Sequence, residues 1–353
     1  MVAKPLESGV ADVAVFGATP GAALLAGALA SEHGLSVALV GEGYSALRLP
    51  RGLNLAIGMW TRPDSWALLG GLEADLAALL GKAGIGDAED TIDVTFAADL
   101  PATRETLDHM QHLAMGYGHK VARSRSGGEL TIREVALLGE DKLYPRLNAW
   151  LDLLGVARVA GDASLSTHKT GKATIVGKSH SIGAKQVVLA DDPAMISELS
   201  DENWPETLRA VDGSAILTSA SRNAPPLVRH FPDRGTTVST RGDGLLVHIA
   251  GTENREARLG ASLDGRLPLV RVATRRLRKV VTNDGAPLVG WLKAPRVFIV
   301  AGLGDAAAFY APALARLIAG TPSPEEKAWF AARDPSRLAG RETIAEFVAG
   351  GFG

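Results

Sequence analysis

The most constraining stretch of the sequence is residues 12–40. Asp12-Val-Ala-Val-Phe16 has the apolar character of a short buried strand. Gly17-Ala-Thr-Pro-Gly21 is a turn, Ala22 to His33 an Ala/Leu helix stopped by Gly34, and Ser36-Val-Ala-Leu-Val40 a second apolar strand. Strand, turn, helix and strand in about 30 residues make a βαβ unit, which commits the chain to a parallel sheet covered on both faces. The apolar run from Val13 to Ala30 could suggest a membrane span, but Gly17, Pro20, Gly21 and Gly27 interrupt it, and strand, turn and helix explain it better.

Such a turn is also a place for chemistry, because backbone N–H groups at a helix N-terminus attract a pyrophosphate. Against the dinucleotide fingerprint G-x-G-x-x-G, Gly17 stands in the first position, Thr19 in the second and Ala22 in the third, with Gly21 extra. Ala22 still permits close helix–strand packing, whereas Thr19 adds a side chain where bare backbone is usual. At the end of the second strand, where an acid would bind ribose, Gly41 is followed by Glu42. The unit reads as the first half of a Rossmann-type domain.

The length of 353 residues suits two domains or one large one. A loop-like stretch over 44–63 precedes a helix for which Asp64 or Ser65 is the expected cap, with Leu68, Leu69, Leu72, Leu76, Leu79 and Leu80 on one face. A strand at Thr91 to Ala97 and a helix from Pro101 to Met115 follow, then an exposed Gly/Ser/Arg-rich segment over 116–128. Leu143 to Leu154 is a helix, and short strands lie near 156–159, 173–176 and 186–190. From Ala210 to about Val281 the pattern is strand after strand, which predicts an inserted antiparallel sheet. Arg296-Val-Phe-Ile-Val-Ala301 returns to the buried-strand style, followed by Gly302-Leu-Gly304-Asp305 and a helix to about Ala319. Ser323-Pro324-Glu325-Glu326 is a capping box.

Composition removes several classes of function. The absence of cysteine excludes disulfides, thiolate metal sites, a cysteine nucleophile and a flavin tethered to sulfur. A formal charge of −2 gives no global field for nucleic acid or an anionic membrane. The basic run Arg271, Arg275, Arg276, Arg278 and Lys279 reads as a solvated sheet edge. His109, His112 and His119 read as surface histidines, with no metal expected. The start, Met1 to Val10, lacks the apolar core of a signal peptide, so a cytoplasmic protein is expected.

The C-terminal third carries a more specific signal. Thr282-Asn-Asp284-Gly285-Ala-Pro287-Leu-Val-Gly290, then a strand, a glycine turn and a helix with Ala311-Pro312-Ala313-Leu314, resembles the closing segment of the D-amino acid oxidase and glycine oxidase superfamily. The element order over residues 10–320 matches that family in outline. The resemblance implies an α/β fold: a Rossmann-type FAD/NAD(P)-binding domain (1–63, 129–200 and 273–321), an inserted antiparallel-sheet substrate domain (64–128 and 201–272), and a helical tail (322–353). It implies FAD as cofactor, and oxidation of an amine or amino acid at a C–N bond by hydride transfer to flavin. The cofactor-binding candidates are Gly17, Thr19, Gly21, Ala22, Glu42, Asn54, Gly58, Asp284, Gly302, Gly304 and Asp305. In the last glycine turn, Asp305 is expected to cap the following helix while the Gly302 and Gly304 backbones face the flavin.

The family usually has arginine three residues before the threonine, where this chain has Lys279. The mid-chain strand usually ends Ala-x-Gly, where this chain has Ala190-Asp191-Asp192. Lys279 is expected as an anion anchor or as a charge near the flavin, with Arg241, His248 and Tyr310 as further catalytic or pocket candidates. Those departures also motivate an alternative: a catalytically degenerate flavoprotein-like subunit or partner in a heteromeric complex, or a homo-oligomer. The turn Gly17-Ala-Thr-Pro-Gly21 is similar as well to the opening of nicotinamide-dependent short-chain dehydrogenases. Their Tyr-x-x-x-Lys pair is absent: none of Tyr44, Tyr117, Tyr144 or Tyr310 has a lysine four residues on.

Overall fold

The computed structural model describes residues 9–41, 60–159, 161–168, 172–177, 181–219, 228–241, 244–251, 253–262 and 270–337. In chain order these form β1 (Val10–Phe16), α1 (Pro20–His33), β2 (Val37–Val40), α2 (Pro63–Lys82), β3 (Glu89–Ala97), α3 (Pro101–Gly116), β4 (Val121–Arg123) and β5 (Glu129–Leu138). Next come α4 (Glu140–Leu153), β6 (Ala157–Val159), β7 (Ser164–Thr167), β8 (Ala173–Val176), β9 (Ser181–Leu189), α5 (Asp192–Glu198), β10 (Leu208–Thr218) and β11 (Val228–Phe231). The chain continues through β12 (Thr236–Arg241), β13 (Gly244–Ala250), α6 (Arg255–Ser262), β14 (Arg271–Thr282), β15 (Leu288–Trp291), β16 (Phe298–Ala301), α7 (Ala311–Ala319) and α8 (Pro324–Ala332).

The first sheet runs β15-β16-β9-β1-β2-β6, with the β7–β8 hairpin added on β9. The pairs from β16 to β6 are parallel, and β15 joins antiparallel. Numbered by their place in the chain, the parallel strands lie in the order 3-2-1-4-5. Strand order therefore reverses between β1 and β9, the position where open α/β sheets leave a crevice for a ligand. Along β1, Val13 and Val15 enter one apolar cluster and Ala11, Ala14 and Phe16 the other. That is why this strand is apolar at consecutive positions. Helix α1 is buried along most of its length, between the sheet, α4 and α7. The Trp150 ring lies where a Cβ on Gly27 would stand, so that glycine sets the approach of α4. Gly34, at φ 63°, ends α1 in the left-handed region.

The second sheet runs β14-β10-β13-β12-β11-β3-β5-β4. Every neighbouring pair is antiparallel except β11 with β3. The inserted sheet expected from 210–281 is thus present, and β3, β4 and β5 extend it. Two strands depart from the boundaries drawn from the sequence: β5, which falls wholly in the 129–200 segment, pairs in the second sheet, and β14 stays in that sheet through Thr282. β14 is an edge strand with Arg271, Arg276 and Arg278 exposed, as its basic run suggested. No described helix is long and apolar enough to cross a membrane.

Three local expectations change or hold for visible reasons. Helix α2 has Arg62 at its cap position and no side-chain cap. Asp64 and Ser65 instead receive the guanidinium of Arg333, at 3.0 Å each, so the tail takes their oxygens. The helix expected near Asp305 starts at Ala311, with Tyr310 at its cap position, because residues Gly304–Ala308 form a separate 3-10 turn. Asp305 therefore does not cap α7. The capping box at Ser323 and Glu326 is present in both directions.

Candidate functional site

The carboxyl ends of β1 and β9 meet at the point of strand-order reversal, and there the turn after β1 meets Asp191. Thr19 is the cap residue of α1 and its hydroxyl accepts from the Ala22 N–H at 3.3 Å. Pro20 brings no N–H. The N–H groups of Ala18 and Thr19 both donate to Asp191 Oδ2, at 2.7 and 3.0 Å. Asp191 Oδ1 accepts from Ala194 N at 3.0 Å, capping α5. The carboxylate is 7% exposed. A Cβ on Gly17 would stand 3.0 Å from it and 2.6 Å from the Ala22 Cβ, so Gly17 and Ala22 are the small residues this packing needs. Gly21 lies under the 3-10 turn, with Ala308 N 3.3 Å from where its Cβ would be.

The topology and the small residues of this turn therefore suit a dinucleotide, and the donor set does not. Its N–H groups already serve an internal anion. The departure at Ala190-Asp191-Asp192 was visible in the sequence. The bonds of Asp191 to residues 172 and 173 positions away were not.

The glycine turn after β16 lies beside the same unit. Gly302 and Gly304 both have positive φ, 74° and 52°. Gly302 packs against Thr282 and Pro287, and Gly304 faces open space. Asp284 is held by Arg337, which donates to both its carboxylate oxygens and also, at 3.0 Å, to the carbonyl of Ala286. Glu42, Asn54 and Gly58 lie outside the described residues, as does the side chain of Asp305.

The second sheet gathers the other candidates. Phe96, His230, Thr237, His248, Ala215 and Arg275 stand opposite one another across six strands. Lys279 is four residues beyond Arg275 on β14, hence on the same face. His230 stacks on Phe96 with ring centroids 5.0 Å apart, and its Nδ1 shares a 2.9 Å hydrogen bond with the Thr237 hydroxyl. The Nε2 atoms of His230 and His248 are shielded from solvent and have no hydrogen-bond partner among the described residues. Burial, joined by the positive charge of Lys279, pushes His248 down to about 3 and His230 down to about 4. Both rings are therefore neutral at pH 7, and the fixed positive charge on this face is that of Lys279 and Arg275. Among the described residues Lys279 has no acidic partner within ion-pair distance.

Lys279 and His248 were expected at a site and the structure brings them together. His230, Thr237 and Arg275 join them only through strand register. Tyr310 lies elsewhere, fully buried at the start of α7 between Trp60 and Trp329, at centroid distances of 6.4 and 5.0 Å. Arg241 ends β12 opposite Gly244, and its side chain is outside the described residues. β14 links the two halves, since it carries Lys279 in the second sheet and ends at Thr282, against Gly302.

No protein-family model matches the chain, and no curated protein matches it by sequence. Solved structures do match over nearly its whole length. The L-amino acid deaminase of Proteus vulgaris, with its specific insertion deleted, aligns at TM-score 0.69 and 19% identity over 95% of each chain. Glycine oxidase from Geobacillus kaustophilus aligns at TM-score 0.66 and 17% identity, over 94% of this chain and 100% of that one. L-proline dehydrogenase from P. horikoshii aligns at TM-score 0.67 and 14% identity, over 94% and 98%. The chain therefore has the fold shared by FAD-dependent enzymes of the amino-acid oxidase type, a Rossmann-type domain carrying a second, largely antiparallel sheet.

Proposed function

We propose that this protein is a FAD-dependent oxidoreductase acting on an amine that carries an anionic group, an amino acid being the simplest case. The observation that carries the reading is the face holding Lys279, Arg275, His230 and His248. It joins fixed positive charge to two neutral, shielded imidazoles whose Nε2 atoms have no hydrogen-bond partner among the described residues. Lys279 binds the substrate's carboxylate there, where partial desolvation strengthens the attraction. A neutral imidazole Nε2 orients the substrate by a hydrogen bond, and the depressed proton affinity of both rings keeps them uncharged while the substrate is bound. FAD, when bound, supplies the two-electron acceptor.

On this reading the first sheet with its helices is the nucleotide side and the second sheet the substrate side. Gly302 and Gly304, at the start of the 3-10 turn, and the turn Gly17–Ala22, at the N-terminal end of α1, are the backbone the cofactor approaches. Asp284 supports that wall through Arg337. The structures it resembles are described as an amino-acid deaminase, a glycine oxidase and a proline dehydrogenase, which agrees with an amino-acid substrate. A second reading, a partner-dependent subunit with little cofactor of its own, is favoured by the Asp191 carboxylate seated on the α1 donors.

The test compares amino acids with the corresponding decarboxylated amines as reductants of the FAD-reconstituted protein. The expected result is turnover of the amino acids only, and a KM raised tenfold or more in Lys279→Met. Equal turnover of both series, or an unchanged KM in Lys279→Met, contradicts the anchor.

A further inference from the structure

We infer that Asp191 is a built-in competitor for the cofactor: its carboxylate occupies the backbone donors that would otherwise receive a dinucleotide's pyrophosphate. This rests on the proposal that the chain takes FAD. A pyrophosphate at the point of strand-order reversal is held by N–H groups where β1 turns into α1. Here the Ala18 and Thr19 N–H groups bind Asp191, the Ala22 N–H binds the Thr19 hydroxyl, and residue 20 is proline. That leaves Gly21 as the first-turn donor not engaged by these groups. The competing anion is well placed. It comes from the residue two after the end of β9, is 7% exposed, and is oriented by its second oxygen on Ala194 N. Its bonds are charge-assisted and close to the positive end of α1. A pyrophosphate arriving there meets both a lack of donors and a negative charge, so it binds fully only when the carboxylate leaves. The carboxylate thus sets how much of the protein is loaded at a given FAD concentration.

The experiment measures FAD and ADP binding by titration calorimetry to the full chain, as wild type, Asp191→Ser and Asp191→Asn, with a melting curve for each. Serine can still cap α5 at Ala194 but carries no charge. Asparagine keeps the shape, removes the charge and leaves one acceptor oxygen for either the Ala18 and Thr19 N–H groups or the Ala194 N–H, so it answers the question if the serine variant fails to fold. The expected result is at least tenfold tighter binding of both ligands to Asp191→Ser than to wild type, and intermediate binding to Asp191→Asn. Unchanged or weaker binding in folded variants overturns the competitor role while leaving FAD binding itself intact. If neither wild type nor the variants bind FAD or ADP, both the competitor role and the FAD reading fall.

Discussion

Arg337 and Asp284 form a two-pronged ion pair that ties the tail to the segment before β15. Both lie mostly out of solvent, with side chains 3% and 12% exposed. Removing one partner of such a pair leaves the other charge buried and unpaired. Arg337→Ala should therefore cost about 3 kcal/mol of stability, read by urea denaturation. Because the loss comes from the stranded carboxylate, adding Asp284→Asn should return part of it. A double variant that loses the sum of the two single effects contradicts the pairing.

Gly27 and Trp150 make the same kind of statement about packing. The indole occupies the space a Cβ would need. Gly27→Ala should destabilise the protein by about 1–3 kcal/mol despite alanine's better helix propensity. Trp150→Leu in that background should relieve part of the cost. A stabilised Gly27→Ala would place α4 farther from α1 than the structure does.

Ser323 caps α8 and Glu326 reaches back to the Ser323 N–H at 2.9 Å. Ser323→Ala should lower stability by about 1 kcal/mol. α8 carries Trp329, which packs at a tilt against Tyr310 and lies under the Arg333 guanidinium at 3.9 Å. The loss should therefore appear as a shift of the global melting transition and not as local fraying.

The two histidines give a pH dependence with a definite sign. Their folded values, about 4 for His230 and about 3 for His248, lie below the ordinary 6.5. Between those limits the unfolded chain binds protons that the folded rings refuse. Their contribution is full above pH 6.5 and is lost as pH falls toward 4, with a slope of up to about 1.4 kcal/mol per pH unit for each ring. Comparing wild type with His230→Asn and His248→Gln across pH 4–7 isolates it. Each variant should show a flatter curve, and parallel curves would mean that the rings are hydrated.

The nucleotide-side sheet was legible because its signals are local. A buried strand, a glycine turn, a helix stop and a capping box each fit within a few residues, and β1, α1, β2 and α8 follow from them. The sheet face was only half legible. Lys279 and His248 stood out by resemblance and residue type, but His230 and Arg275 reach them through cross-strand register, which depends on pairings between distant segments. Tyr310 shows the converse limit, since its neighbours Trp60 and Trp329 come from opposite ends of the chain. Asp191 fell at the unspecified middle position of the Ala-x-Gly strand end, with Asp192 in place of the glycine, and its role as acceptor for the β1–α1 turn exists only once β9 lies beside β1.

Oxidation of an amino acid by FAD on this fold is visible most directly in the absorption spectrum of the FAD-reconstituted, gel-filtered protein under anaerobic conditions. Flavin absorbance should travel with the protein and bleach on addition of an amino-acid substrate, at lower substrate concentration in wild type than in Lys279→Met. Protein that emerges colourless after reconstitution, from both wild type and Asp191→Ser, or bound flavin that no amino acid bleaches, would contradict it.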